Sequence, residues 1–542
     1  MPARQRAFVA FAGGGAKGLV HVGALRAIEA RDVEVVGYAG TSAGAIIAAL
    51  AAAGVMSTEM IHPTEDRSII DDLRKYDANI AKLTDLFGRG RWPTIRTLGW
   101  LTERIEKAGA PPQLLLAIGL LLLLVVLVAT AFAGFSGGWE GSILALMVWI
   151  AGLTVLAIPV CLAADGLARV ETLRHALGQY LSERVFGPGS PREVLMSDFN
   201  GEGLPRLKII ASDITRQRMQ VFSCDILGET PVADAVAASI CLPLVFAPKT
   251  IGSARFVDGG VVSNFPAWPF DEERALDGDA LTIGFQIGEV VKVDAKPRRA
   301  AIWPIAVFQT ALFGSVQLST RAVGRAELIT LKPSLKLLAF DIAYSKAREE
   351  VEDAAAGALA EIDRRLFQFP DTYRRACASV RDQVTTTLEA APPGVLQTAG
   401  EVGRVRCAVA LPQKDLSHSL AVRHGVGYEQ DADGDLLLPL AASLAGEAWR
   451  TGDTKFEFYA IRLGVELWRD QDAAIRRRTP RDLAWSLRVP ISSSAGEPFL
   501  VVLVDGSGVL MNSEVTTTWV ASLADEIERV FRSVVQGFEE VA

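Results

Sequence analysis

Ala7–Gly44 reads AFVAFAGGGAKGLVHVGALRAIEARDVEVVGYAGTSAG, and its alternations decide the fold. Ala7–Ala12 is a short apolar run stopped by glycines, the pattern of a buried strand. Leu19–Ala30 carries apolar residues at helical spacing, and Val33–Ala39 is a second strand. Ala43–Ala53 (AGAIIAALAAA) is a helix of small residues suited to close packing. Strand, helix, strand and helix in so short a stretch predict an α/β fold with a parallel sheet. Further strand-like runs follow at Leu207–Ala211, Gln220–Phe222, Arg255–Asp258 and Leu281–Ile287, with a short helix at Ala233–Ile240 and a long amphipathic one at Arg348–Phe367.

The whole chain has 542 residues, enough for roughly two to four folding units. Its 55 basic and 63 acidic residues leave a net charge of −8, which argues against a nucleic-acid partner. Five scattered cysteines form neither a CxxC pair nor a cluster, so no zinc site or disulfide framework is indicated and a reducing, cytoplasmic setting is expected for the soluble parts. No basic stretch followed by an apolar run and a cleavage site opens the chain, so no secretory signal is expected.

Mean hydropathy is nevertheless +0.26, high for a chain with 22% charged residues. The apolar excess is local. Leu114–Ala133 (LLLAIGLLLLLVVLVATAFA) and Ser142–Ala164 (SILALMVWIAGLTVLAIPVCLAA) are charge-free and separated by the glycine-rich link Gly134–Gly141. Each run meets the roughly 20-residue length of a membrane-crossing helix. Residues 108–164 are therefore expected to form a transmembrane hairpin, the alternative being a pair of buried core helices. Arg89, Arg91, Arg96, Arg104 and Lys107 before it, and Arg169 and Arg174 after it, put both flanks on the cytoplasmic side. Ala300–Gly314 is apolar but too short and proline-interrupted to span; it reads equally as a surface-lying segment or as core.

Leu388–Val402, with paired prolines and glycines, reads as a linker. Beyond it, strands at Arg404–Leu411, Ser486–Ile491 and Phe499–Val504, a helix at Ser443–Thr451 and a closing helix at Ser522–Phe538 describe a separate α+β domain.

Three motifs carry chemistry. Gly13-Gly14-Gly15-Ala16-Lys17-Gly18 follows a strand and opens a helix. It fits GxGxxG loosely, but the second strand ends in Tyr38-Ala39-Gly40 and supplies no acidic residue for a ribose; GxxxxGK[ST] is absent. Backbone amides at such a turn instead suit an oxyanion hole. Gly40-Thr41-Ser42-Ala43-Gly44 matches GxSxG, a nucleophile elbow whose sharp turn needs small neighbours. Asp258-Gly259-Gly260 puts an acid at a strand end before a tight turn. Of the five histidines, none has the context of a triad base; His21, on the first helix, reads as packing or hydrogen bonding beneath the site more readily than as a catalyst. A Ser42–Asp258 dyad is the economical reading, against the alternative of a structural turn aspartate.

In this order, GGGxKG, GxSxG and DGG resemble the patatin-like phospholipase family over roughly residues 5–365, with the hairpin as an insertion; Ala238–Pro243 (ASICLP) resembles the family's helix-to-proline turn. The resemblance implies a three-layer α/β fold with a parallel-rich central sheet, and hydrolysis of lipid acyl esters without metal or organic cofactor. Ser42 would be the nucleophile and Asp258 the base. Gly13, Gly14, Gly15 and Gly18 would form the oxyanion loop with Lys17 at its basic position, Gly40 and Gly44 would flank the elbow, and Gly259 and Gly260 would complete DGG. Leu444–Gly452 (LAGEAWRTG), Leu487–Ser492, Gly496–Ser507 and the last helix resemble a GAF domain, which implies a small-molecule ligand or self-association.

The organisation expected is thus a hydrolase domain at 1–107 and 165–365, a membrane hairpin at 108–164, a helix and linker at 366–402, and a GAF-like domain at 403–542. The function expected is a membrane-anchored carboxylic ester hydrolase acting on bilayer lipids. The competing readings are a catalytically silent membrane sensor or scaffold, and a soluble esterase.

Overall fold

The computed structural model describes residues 5–31, 33–87, 168–243, 245–277, 280–288, 326–335, 339–413, 416–458 and 478–539, with isolated positions at Val128, Thr130, Ile143, Leu146, Met147, Trp149, Ile150 and Thr310. They pack as two compact units, Met1–Ile362 and Asp363–Ala542.

In the first unit, β1 (Arg6–Phe11) and β2 (Glu34–Thr41) enclose helix α1 (Val20–Ala30), and α2 (Ala43–Ala52) follows β2. The chain then adds β3 (Arg206–Asp213), β4 (Arg218–Phe222), β5 (Lys249–Ile251), β6 (Ala254–Asp258), β7 (Leu281–Ile287) and β8 (Ala326–Leu331). Sheet order is β5-β6-β3-β2-β1-β7-β8, with β4 paired to β3. The five strands from β3 to β8 run parallel, and β6, β5 and β4 are antiparallel additions at one side. β1 is buried along almost its whole length, as a central parallel strand covered on both faces must be.

Pairing register sets the site. Phe11 lies opposite Gly40, Thr41 opposite Ile210, and Ala211 opposite Asp258. The turn after β2 and the end of β6 therefore meet at one level of the sheet, with β3 between them. The sequence places β1, β2, β3, β7 and the helices α1 and α2 to within a residue or two. It missed β5, β8 and the helix Glu171–Phe186, whose apolar residues are too few or too scattered to show a period.

The hairpin expected at 108–164 lies outside the described residues apart from the isolated positions above, and Ala300–Gly314 likewise apart from Thr310. Among the described residues no helix is long and apolar enough to cross a membrane.

The second unit is built on a six-stranded sheet, β9 (Val405–Gln413), β10 (Leu416–Val426), β11 (Leu437–Pro439), β12 (Lys455–Phe458), β13 (Trp485–Ser492) and β14 (Pro498–Gly506), in the order β11-β10-β9-β14-β13-β12. Every pairing is antiparallel. The helix Phe369–Glu389 buries Tyr373, Cys377, Val380, Val384 and Leu388, spaced three or four apart, in the same core as Phe531 and Val535 of the helix Glu514–Glu539. Val395 and Val402 join that core, so the segment read as a linker is packed into this unit. The helix Leu444–Thr451 starts at Ser443, whose Oγ accepts from the Gly446 amide, and stops at Gly452 in the left-handed region.

A charge network crosses this sheet. Arg406 is 2% exposed and donates to Asp505 from Nε and to Asp431 and Asp433 from its terminal nitrogens. Asp505 also accepts from Tyr428 and Arg488. Arg488 and Arg406 hold its carboxyl far below the usual carboxylate range despite full burial. Removing one partner of such a pair leaves a buried charge uncompensated, at a cost of about 3–5 kcal/mol. Arg406→Ala is expected to lower the unfolding free energy of this unit by an amount of that order, and with it the denaturant midpoint, and Arg406→Lys to recover only part of it. Equilibrium urea unfolding followed by Trp485 fluorescence checks this.

Candidate active site

Ser42 occupies the turn between β2 and α2 with φ 53 and ψ −125, a conformation that a non-glycine residue adopts only under constraint. The constraint is close packing. A Cβ on Gly40 would lie 2.4 Å from the Gly44 carbonyl oxygen, and one on Gly44 would lie 2.3 Å from that of Phe11. The small residues flanking the serine are thus demanded by the approach of α2 to β1. The Ser42 amide donates to Ser239 Oγ at 2.9 Å, and Ser239 Oγ donates to the Ile210 carbonyl at 2.5 Å.

Asp258 reaches the serine across the end of β3. Gly259 makes this passage possible: a Cβ there would stand 2.2 Å from the Ile210 carbonyl oxygen and 3.0 Å from Thr41 Cγ2. Ser42 Oγ donates to Asp258 Oδ2 at 2.6 Å, between residues 216 apart in sequence. The Gly260 amide donates to Asp258 Oδ1 at 2.7 Å, and Ser212 Oγ to the Asp258 main-chain carbonyl at 2.8 Å. Ser42 is 8% exposed and Asp258 2%.

Burial raises the Asp258 carboxyl to about 6; the hydrogen bonds from Ser42 and Gly260 pull in the opposite direction and lose. A carboxylate of that strength is ionised at neutral pH and is a better proton acceptor than an ordinary aspartate.

The glycine loop lies against the elbow. A Cβ on Gly13 would sit 3.2 Å from Ser42 Cβ, and one on Gly18 would sit 2.3 Å from Ala43 Cβ. Gly14 is backed by Ile287, and Gly15 has φ 54. Lys17 is half-buried in the 3-10 turn Gly15–Leu19. His21 stands outside the pair: it is fully buried, burial lowers it to about 4, and its Nε2 donates to the Ala12 carbonyl at 2.8 Å. It supports the start of the loop, which agrees with the structural alternative in the sequence. Three neighbours escaped sequence reading: Ser239, Ser212 and Asn264. Ser239 lies inside the ASICLP stretch, but nothing in one sequence separates its hydroxyl from those of other serines. Among the described residues no group of His, Cys, Asp and Glu is arranged to hold a metal ion.

Residues 9–271 match the family model of patatin-like phospholipase. The uncharacterized protein YqhO of Bacillus subtilis (strain 168) is 28% identical over 279 residues, 49% of this chain and 66% of that protein. The chain thus spans just under two thirds of that relative's length. Among solved structures, VipD from Legionella pneumophila is 14% identical with a TM-score of 0.33, covering 72% of this chain and 77% of that one. The GAF domain of a two-component sensor histidine kinase from Bacillus halodurans is 16% identical with a TM-score of 0.20, covering 30% of this chain and 95% of that one.

If Asp258 serves as the base that the sequence expects, kcat/KM for a soluble ester is flat above pH 7, half-maximal near pH 6, and falls about tenfold per unit below that. The same raised value makes ionised Asp258 a burden on the fold: the stability it contributes is present below the unfolded value near 3.8 and lost as pH rises through about 6. Asp258→Asn should therefore abolish turnover while leaving the melting temperature at pH 8 equal or higher. A melting temperature that drops sharply would contradict this account of the carboxyl.

Proposed function

We propose that the first unit is a serine acyl hydrolase acting on membrane lipid esters through a Ser42–Asp258 dyad. The observation that carries this is the 2.6 Å bond from Ser42 Oγ to a buried carboxylate, on a strained strand-to-helix turn beside a glycine loop. The match of residues 9–271 to the patatin-like phospholipase model supports the lipid ester as substrate class. Asp258 takes the proton from Ser42 Oγ as it attacks the ester carbonyl, and amides of the Gly13–Gly18 loop stabilise the oxyanion. Collapse expels the alcohol, which receives the proton from Asp258. Water, activated by the same carboxylate, then releases the fatty acid and restores the serine.

The membrane hairpin at 108–164 is part of this reading. It is supported by the two charge-free runs Leu114–Ala133 and Ser142–Ala164, each long enough to cross a bilayer. The hydrolase and C-terminal units would both be cytoplasmic. The GAF-like reading of the second unit makes it a regulator through a small ligand or self-association; the antiparallel sheet flanked by helices is compatible with it.

Purified full-length protein in detergent should hydrolyse p-nitrophenyl butyrate and a labelled phospholipid, and Ser42→Ala should lower both rates by at least about 10³-fold. Equal inactivity of wild type and variant favours the silent sensor. Full release of the protein from carbonate-washed membranes would leave a soluble esterase instead.

A further inference from the structure

Asn264 is the residue beside the nucleophile that the dyad scheme leaves unused. It follows the short helix Gly260–Ser263, which begins two residues after Asp258. Its main chain and side chain both engage the glycine loop. The Asn264 carbonyl accepts from the Gly13 amide at 2.8 Å, and a Cβ placed on Gly13 would lie 2.3 Å from Asn264 Oδ1. That Cβ would also lie 3.2 Å from Ser42 Cβ, so amide, glycine and serine meet at one point. The position is fixed from behind: Thr41 Oγ1 donates to the Ser263 carbonyl at 3.0 Å, and Trp268 Nε1 donates to Ser263 Oγ at 3.1 Å.

Asn264 is only 6% exposed, yet among the described residues its side-chain amide has no hydrogen-bond partner in the protein. Neither is it among the polar side chains whose atoms are wholly shut in. Buried amides are normally paired, and leaving one unpaired costs free energy. The polar atoms of this one keep some exposed surface, and they lie next to Gly13, whose Cβ position is 3.2 Å from Ser42 Cβ. Oδ1 lies 2.3 Å from where a Gly13 Cβ would stand, and among the described residues the two Nδ2 hydrogens have no acceptor.

We propose that Asn264 Nδ2 is a side-chain donor to the carbonyl oxygen of the substrate, completing the oxyanion hole begun by the glycine-loop amides. This rests on the hydrolase reading above. As Ser42 Oγ bonds to the carbonyl carbon and its proton passes to Asp258, the carbonyl π pair moves onto oxygen. The Nδ2–H dipole then faces a full negative charge in place of a neutral carbonyl, so its contribution grows in the transition state. The same residue ties the loop to the element that carries the base, which keeps donors and base in register.

The test uses the full-length protein in detergent with p-nitrophenyl butyrate, comparing wild type, Ser42→Ala, Asn264→Ala and Asn264→Asp. Removal of one oxyanion donor is expected to lower kcat about 10²–10³-fold, with KM within about twofold. Asn264→Asp keeps the shape, loses the donors and adds a repelling charge, so its kcat should fall below that of Asn264→Ala. It also carries the test should the alanine variant unfold. The rate of labelling by a fluorophosphonate, whose phosphoryl oxygen would occupy the same hole, should fall in parallel. If wild type is active, Ser42→Ala is dead, and both Asn264 variants keep kcat within about threefold or lose only KM, the assignment is overturned while the hydrolase reading stands. Equal inactivity of wild type and Ser42→Ala overturns both.

Discussion

The hydrogen bond between Ser42 and Asp258 is the contact around which the first unit is organised. It joins residues 216 apart, one just past the end of β2 and the other at the end of β6, strands that are not neighbours in the sheet, and it lies out of water. To close it, the chain must turn sharply at both ends. At one end this produces the strained φ of Ser42, held by α2 pressing on β1 through Gly40 and Gly44. At the other it requires Gly259 to pass over the Ile210 carbonyl with no room for a side chain. Strain of this kind costs of order 1–3 kcal/mol per residue and persists only where the surroundings overdetermine it.

Those surroundings are the parallel strands and the hydroxyls between them. Ser239 ties the Ser42 amide to β3, and Ser212 ties β3 to the main chain of Asp258. The glycine loop is secured separately, by His21 on Ala12 and by the Asn264 carbonyl on Gly13. The pair thus sits in a lattice of short bonds that fixes position without neutralising the carboxylate. That explains why burial, and not a cation, dominates the Asp258 carboxyl. A lysine or arginine at this distance would have lowered it and weakened the base.

The second unit handles buried charge in the opposite way. Asp505 is as deeply buried as Asp258, but Arg406 and Arg488 face it, and its carboxyl is driven down instead of up. One aspartate is left poised to take a proton, the other is locked as a permanent anion in a structural network. The contrast follows from the partners alone, since burial acts on both in the same direction.

The sequence by itself determined the parallel α/β core, the boundaries of its main strands, and the identity of the residues that meet. Apolar runs broken by glycines allow little else, and a serine hemmed by Gly40, Ala43 and Gly44 has few uses besides an elbow. It also separated the C-terminal α+β unit through a change in pattern, though Val395 and Val402 make the apparent linker part of that unit's core. Only the tertiary structure decided how far the serine lies from the carboxylate, which way the Asp258 carboxyl is shifted, and that His21 supports the loop. It alone brought Ser212, Ser239 and Asn264 to the site. The hydroxyl neighbours depend on strand register and close approach between segments apart in the chain, by 197 residues for Ser42 and Ser239 and by 46 for Ser212 and Asp258, and no periodicity or motif in a one-dimensional sequence encodes such a meeting.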